Sequence, residues 1–160
     1  MKGARLAGVR IVRADPSHAG TVRALMRELA AHEGSLAAAT TSEQRWSELL
    51  ARDDVTVLLA RVAGEPVGYV SAVTKLHLWR GHEIAALDDL YVRPAFRDAG
   101  IGELLMHALA RRAGVPLRWE VEEGNLAGQR FYLRLGARLR RKVVAWWEPD
   151  ADGQAPARTR

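Results

Sequence analysis

The sequence predicts an α/β protein, a single domain built on a mixed sheet flanked by helices. Two observations carry that prediction. Short β-prone runs alternate with apolar stripes of helical spacing, in the order β-α-α-β-β-β-α-β-α-β. The chain is also 160 residues long and 48% hydrophobic, a size at which one domain buries about 70% of the surface of its unfolded chain.

The first strand is Val9-Arg10-Ile11-Val12. Asp15-Pro16 follows, pairing an N-cap residue with a proline suited to the first helical position. Val22, Leu25, Met26 and Leu29 then recur at i, i+3, i+4 and i+7, and Gly34 ends that helix. Thr40-Thr41-Ser42-Glu43 reads as a capping box opening a second short helix, with Trp46, Leu49 and Leu50 on its apolar side. A hairpin comes next: a strand from Val55 to Val62, a turn at Gly64-Glu65-Pro66, and a returning strand from Val67 to Val73. Ile84 to Val92 is a further strand. Ile101, Leu104, Leu105, Ala108 and Leu109 mark a helix ending near Gly114, and Leu117 to Val121 alternates as a strand with one wetter face. The last helix runs from about Leu126 to Leu135, stopped by Gly136, and Leu139 to Trp147 holds the final strand. The domain is expected to span residues 1–147. Residues 148–160, rich in Pro, Gly, Asp, Ala and Arg, read as a disordered tail.

Composition removes several functions. With no cysteine, disulfides, thiolate-bound zinc, iron–sulfur clusters and thiol nucleophiles are excluded. The five histidines lack the spacing of a catalytic metal site, so no metal is expected, and no serine sits in a Gly-x-Ser-x-Gly elbow. No apolar run approaches the roughly 20 residues of a membrane span, and Met1-Lys2-Gly3-Ala4-Arg5-Leu6 lacks a signal-like apolar stretch, so a cytoplasmic protein is expected. Net charge is +5, and only three of the 24 basic residues are lysine. Guanidinium suits phosphate, yet the basic residues are scattered apart from Arg138, Arg140, Arg141 and Lys142, so nucleic acid is not an expected partner.

The most informative stretch runs from Asp88 through Asp89-Leu90-Tyr91-Val92-Arg93-Pro94-Ala95-Phe96-Arg97-Asp98-Ala99-Gly100-Ile101 to Gly102. A strand ends, a proline-bearing turn follows, and a glycine-bearing segment opens a helix. N–H groups at a helix start have no intrahelical acceptor and carry partial positive charge, so they bind anions. Neither a Walker loop nor a three-glycine dinucleotide fingerprint is present.

Arg97-x-x-Gly100-x-Gly102, after the Leu90-Tyr91-Val92 strand, resembles the acetyl-coenzyme-A signature of the GNAT N-acetyltransferase superfamily. The resemblance covers roughly residues 9–147. Asp88 to Val92, and Glu123-Gly124-Asn125 to Phe131-Tyr132 with Gly136-Ala137, look most like its diamine (spermidine/spermine-type) branch. The resemblance implies acetyl-CoA as co-substrate, held between the strands at Ile84–Val92 and Leu117–Val121. Backbone groups of Leu90, Tyr91 and Val92 would hold the pantetheine arm. Arg97 belongs to the signature, and the amides of Asp98, Ala99, Gly100, Ile101 and Gly102 would cradle the pyrophosphate. Many relatives carry glycine where this chain has Asp98, whose carboxylate is expected to cap the helix and turn away from the phosphates.

Thioester aminolysis needs a neutral amine and a protonated leaving thiol. The resemblance makes Tyr132 the acid, and it has Asn125, a natural N-cap, touch the cofactor as well. Asp88 and Asp89, neighbours on one strand, point to opposite faces unless a bulge intervenes, and periodicity does not choose between them. The resemblance favours Asp88 as base, directly or through water. Glu33, Glu83, Glu120, Glu122 and Glu123 could converge on an acidic acceptor groove. The resulting expectation is acetyl transfer to a primary amine, a small polyamine or amino-acid-like amine, in a homodimer contacting through Trp146 and Trp147. A protein N-terminal or lysine acetyltransferase and a non-catalytic acyl-CoA-binding module are the alternatives.

Overall fold

The computed structural model describes residues 8–149 and Gly153. Five strands form one sheet in the order β1-β2-β3-β4-β5: Val9–Arg13, Val55–Val62, Glu65–His77, His82–Val92 and Leu117–Arg118. The first four pair antiparallel, and β5 pairs parallel with β4, so the sheet is mixed as expected. Four α-helices accompany it: α1 Ala19–His32, α2 Glu43–Leu50, α3 Ile101–Ala113 and α4 Leu126–Arg134. The chain divides into two compact units, Met1–Glu120 with the sheet and α1–α3, and Val121–Arg160 with α4.

Local chemistry accounts for the boundaries. Asp15 does cap, but it caps a 3-10 turn at Pro16–His18 that leads into α1, accepting from the Ser17 N–H at 2.9 Å. The cap of α2 is Ser42, which accepts from the Arg45 N–H at 3.1 Å; Glu43 is thus the first helical residue rather than the reciprocal partner of a box. Gly114 and Gly136 follow their helices at φ +62° and +86°, a left-handed conformation that glycine adopts without a Cβ clash.

Alternation along the strands builds two apolar layers. Val57, Leu59, Tyr69 and Tyr91 pack with Val22 and Leu25 of α1 and Trp46 and Leu50 of α2. Leu58, Ala60, Val70 and Ala72 alternate to the opposite face, where α3 lies against β1–β4 with Leu105 and Leu109 fully buried. This second face is the one that sets α3, and hence its N-terminus, against the end of β4.

Two expectations for the C-terminal third need correction. The strand expected over 117–121 is only Leu117–Arg118, and no strand forms between Leu139 and Trp147 among the described residues. Leu139–Trp147 has β-prone residues, but a strand exists only through bonds to a neighbour, and no strand of the sheet pairs with it. Its Val143 and Trp146 are 97% and 84% exposed. Glu148 and Pro149 are irregular; most of the expected tail, and residues 1–7, lie outside the described residues.

Gly68 fixes how closely β3 and β4 approach. A Cβ there would lie 2.5 Å from the Tyr91 carbonyl oxygen, a backbone atom that cannot swing aside. Gly68→Ala is therefore expected to cost about 1–3 kcal/mol, read as a lower denaturant midpoint with an unchanged slope.

Candidate active site

The site is built where β4 loses its second neighbour. β4 and β5 pair only at Ala85–Leu117 and Ala86–Arg118, with the Ala85 N–H donating to Pro116. Beyond Ala86 the edge of β4 on that side has no strand partner among the described residues. The N–H groups of Asp89 and Arg93 point the other way, donating to the Ser71 hydroxyl at 3.2 Å and the Val67 carbonyl at 2.9 Å. By alternation the main-chain groups of Leu90 and Val92 face the open edge, while those of Tyr91 face β3. The Val92 carbonyl is already taken: Arg97 Nε donates to it at 2.8 Å. Among the described residues, what stays open is a donor and an acceptor on Leu90 and a donor on Val92.

A bulge decides how the two aspartates are presented. Ser71 stands opposite Asp89 and Ala72 opposite Leu87, which makes Asp88 the extra residue. Asp89 turns toward the α1 layer, where its Oδ2 accepts from the Tyr69 hydroxyl at 3.0 Å and the Ser71 hydroxyl at 3.4 Å. Asp88 is exposed. Loss of hydration raises the pKa of both carboxyls. At Asp88 the neighbouring Asp89 charge adds to the rise and Lys75 opposes it; at Asp89 the Tyr69 and Ser71 hydrogen bonds oppose it. Tyr69 is fully buried, and burial, followed by the Asp89 charge, holds its hydroxyl in the protonated form.

After β4 the chain makes a 3-10 turn at Pro94–Phe96 and then two left-handed residues, Asp98 at φ +60° and Gly100 at φ +85°. Aspartate tolerates this region better than most residues, because its short polar side chain adapts locally. Gly100 is the N-cap of α3 and makes no side-chain cap bond, so the capping role expected of Asp98 is not the one it takes. Among the described residues, no hydrogen bond takes up the N–H groups of residues 98–102. A row of unspent donors at the positive end of a 13-residue helix fits a diphosphate.

Two contacts tie this turn to α1. Glu28 accepts from Arg93 Nε at 2.9 Å and Nη2 at 2.8 Å, a bidentate pair that also receives the Tyr91 hydroxyl at 3.4 Å. Arg97 Nη1 lies 3.4 Å from His32 Nε2, and its guanidinium is 5.8 Å from the centre of the Tyr91 ring. Sequence reasoning missed Glu28, His32, Tyr69, Ser71 and Arg93. Glu28, His32, Tyr69 and Ser71 sit in ordinary helix or strand patterns and Arg93 in the turn after β4, and only the fold brings them together at the bulge and turn.

Two of the expected acidic-groove residues, Glu33 and Glu83, lie apart in the first unit. Glu33 ends α1, close enough for its charge to act on Tyr69, whereas Glu83 lines a different open cleft. That cleft, about 950 Å³, has Arg13, Asp53, Thr56 and Arg111 among its lining residues and belongs to the far end of α3.

The second unit carries the other two candidates. Asn125 caps α4, its Oδ1 accepting from the Gly128 N–H at 2.8 Å. Gly128 makes room for this, since a Cβ would fall 2.7 Å from the Asn125 amide nitrogen. Gln129 Nε2 ties the preceding loop down through the Glu123 carbonyl at 2.8 Å. Tyr132 packs edge-to-face on Phe131, with ring centres 5.2 Å apart, and partial burial raises its pKa.

The model of the acetyltransferase (GNAT) family matches residues 20–137. The chain belongs to that family. An uncharacterized N-acetyltransferase of Archaeoglobus fulgidus is 36% identical over 90 residues, 52% of this chain and 60% of the relative. The thialysine N-ε-acetyltransferase of Caenorhabditis elegans is 26% identical over 149 residues, 91% of this chain and 92% of the relative. Among solved structures, an aminoglycoside acetyltransferase from a soil metagenome, in complex with trehalose, superposes with a TM-score of 0.77. It is 17% identical and the match covers 88% of this chain and 95% of that one, a likeness of fold.

The raised carboxyl pKa values make a stability prediction for this GNAT domain. An Asp whose pKa is higher folded than unfolded costs stability once pH exceeds its unfolded value, near 3.8, and costs most above the folded value. Asp88→Asn is expected to raise the unfolding midpoint at pH 7 by about 1–3 °C. The gain should shrink as pH falls toward 4, which paired melting curves across that range will read.

Proposed function

We propose that this protein transfers the acetyl group of acetyl-CoA to the nitrogen of a small primary amine, a polyamine or amino-acid-like amine, in the cytoplasm. The domain doing so runs to about Trp147, and attack is direct, with both substrates bound together. The observation that carries this reading is the pairing of a half-open β4 edge with unspent N–H donors at residues 98–102. Family membership and the signature Arg97-x-x-Gly100-x-Gly102 support it. Two named relatives, a thialysine N-ε-acetyltransferase and an aminoglycoside acetyltransferase, support an amine acceptor.

Acetyl-CoA supplies the activated acyl group and a thiolate leaving group. The residues of this chain supply position and protons. Asp98, Ala99, Gly100, Ile101 and Gly102 hold the diphosphate through main-chain N–H groups. Arg97, by closing the turn onto the Val92 carbonyl, keeps those groups aimed outward. Leu90 and Val92 hold the pantetheine arm as a strand partner would, and Tyr91 locks the segment against α1. An N–H of that edge lies where the carbonyl oxygen gains charge, and a preorganised donor there lowers the barrier. Asp88 takes a proton from the acceptor ammonium, so that the nitrogen lone pair can form the C–N bond as the C–S bond breaks. The raised pKa of Asp88 suits proton uptake closer to neutral pH. Tyr132 gives its proton to the departing sulfur, a phenol kept protonated being fit for that task, and the second proton shed by the newly acylated nitrogen restores the phenol by way of solvent. Asn125 orders the start of α4 and reaches the cofactor.

Free thiol release from acetyl-CoA across an amine panel tests the activity, and the absence of cysteine keeps that signal clean. A panel limited to polyamines, amino acids and aminoglycosides should contain the substrate; activity only on peptides would move the assignment to a protein acetyltransferase. Tyr132→Phe should leave the acetyl-CoA dissociation constant near wild type and lower kcat by about 10²-fold. Unchanged kcat removes Tyr132 from the mechanism.

Asp98→Gly tests the turn. It removes a carboxylate from the diphosphate site and relieves a left-handed non-glycine residue, so calorimetry should show acetyl-CoA binding several-fold more tightly. The exposed Trp146 and Trp147 support a homodimer contact, which sedimentation of Trp146→Ser against wild type would test.

A further inference from the structure

The mechanism above leaves one built arrangement unused: a buried tyrosine and serine that spend their hydroxyls on the aspartate next to the base. Tyr69 is wholly buried and Ser71 nearly so, and both direct their hydroxyls to the same oxygen of Asp89. The Ser71 oxygen also receives the Asp89 N–H at 3.2 Å, so side chain and main chain of Asp89 are fixed together at the bulge. Burial raises the Asp89 pKa, and the two hydroxyl donors on one oxygen work against that rise by stabilising the charged form. The bulge makes its chain neighbour Asp88 the extra residue of β4, and the Asp89 charge acts on it.

We propose that Asp89 is a positioning residue, a fixed negative charge pinned by Tyr69 and Ser71 that tunes proton transfer at Asp88. The inference rests on the reading of Asp88 as the proton acceptor. Two like charges this close disfavour ionising together, so Asp88 holds its proton to higher pH than an isolated carboxyl would. The surrounding charges are few. Lys75 on β3 acts in the opposite direction on Asp88, and Glu33 at the end of α1 bears on Tyr69 rather than on the pair. The tandem thereby becomes a division of labour. One aspartate is anchored and supplies potential; the other is exposed and exchanges the proton.

Asp89→Asn separates the two roles. The amide oxygen still accepts from Tyr69 and Ser71, and only the charge is lost. Carbon-13 NMR of the full chain labelled in its aspartate carboxyls, with Asp88→Asn identifying the Asp88 signal, reads the Asp88 titration midpoint directly. The midpoint should fall by about one pH unit in Asp89→Asn, and the acid limb of kcat/KM with the best amine of the panel should move down with it. Ser71→Ala, which removes one anchor and keeps the charge, should move the midpoint in the same direction by less. An unchanged midpoint in a folded Asp89→Asn protein overturns the proposal, and a mere loss of thermal stability does not rescue it. A hundredfold loss of kcat in Asp89→Asn also overturns it, because Asp89 would then be the base. If the midpoint moves but Asp88→Asn keeps full turnover, the coupling stands and the assignment of Asp88 as acceptor fails.

Discussion

A strand that loses a neighbour halfway along must send its main-chain polar groups elsewhere or leave them for a ligand. That constraint governs this molecule. β5 accompanies β4 for two residue pairs and then departs, while β3 continues beside β4 to Val92. The antiparallel side is therefore sealed, and the parallel side is not. Buried amide groups without partners are costly, and Leu90 and Val92 on the open edge are only half-buried. The bulge at Asp88 lies at the changeover, where the strand shifts from two partners to one. It turns Asp89 inward onto hydroxyl donors and leaves Asp88 exposed.

The turn that follows meets the same problem by another route. Between Val92 and Ile101 the chain must reverse and begin a helix, and it does so with two left-handed residues. The N–H groups of Phe96 and Arg97 close on the Arg93 and Pro94 carbonyls, but among the described residues no acceptor takes up those of 98–102. Rigidity then has to come from side chains. Arg97 bonds back to the Val92 carbonyl, and Arg93 forms a two-point pair with Glu28 of α1. The two arginines look equivalent in sequence, yet they act differently: Arg97 closes the loop onto β4 and also reaches His32 of α1, while Arg93 fastens it to α1 through a two-point ion pair. A half-exposed ion pair contributes modestly to stability, so the weight of Glu28–Arg93 lies in aim.

Much of this was legible in the sequence, for reasons that are local. Val22, Leu25 and Leu29 declare α1 through their spacing, and Gly114 and Gly136 stop α3 and α4 because a left-handed residue is needed there. Arg97-x-x-Gly100-x-Gly102 is visible because a tight turn onto a helix restricts residue type at fixed offsets. The missing final strand was not legible. Leu139–Trp147 carries the composition of a strand, but pairing depends on a neighbour's edge and no local property encodes that. Nor could Tyr69 and Ser71 be found, since both fill ordinary positions in an alternating strand. Their meaning comes from standing opposite Tyr91 and Asp89 across the β3–β4 ladder.

The same ladder gives a physical reason for placing the proposed proton transfer on β4 rather than on the loops. A loop residue can be placed near a substrate, but its charge is free to move, and a movable charge reorganises during reaction. Asp89 is tied at two points: its carboxylate accepts from a side chain of the core, and its N–H donates to the Ser71 hydroxyl on the strand beside it. Tyr69 is locked in turn by packing in the layer that α1 and α2 cover. Electrostatic preorganisation of this kind is set when the chain folds, so no part of it has to be assembled in the transition state. The hydrophobic layer and the site are thus one construction, and Tyr69 belongs to both. Its ring fills the core, and its hydroxyl is the point at which core packing becomes control over a charge.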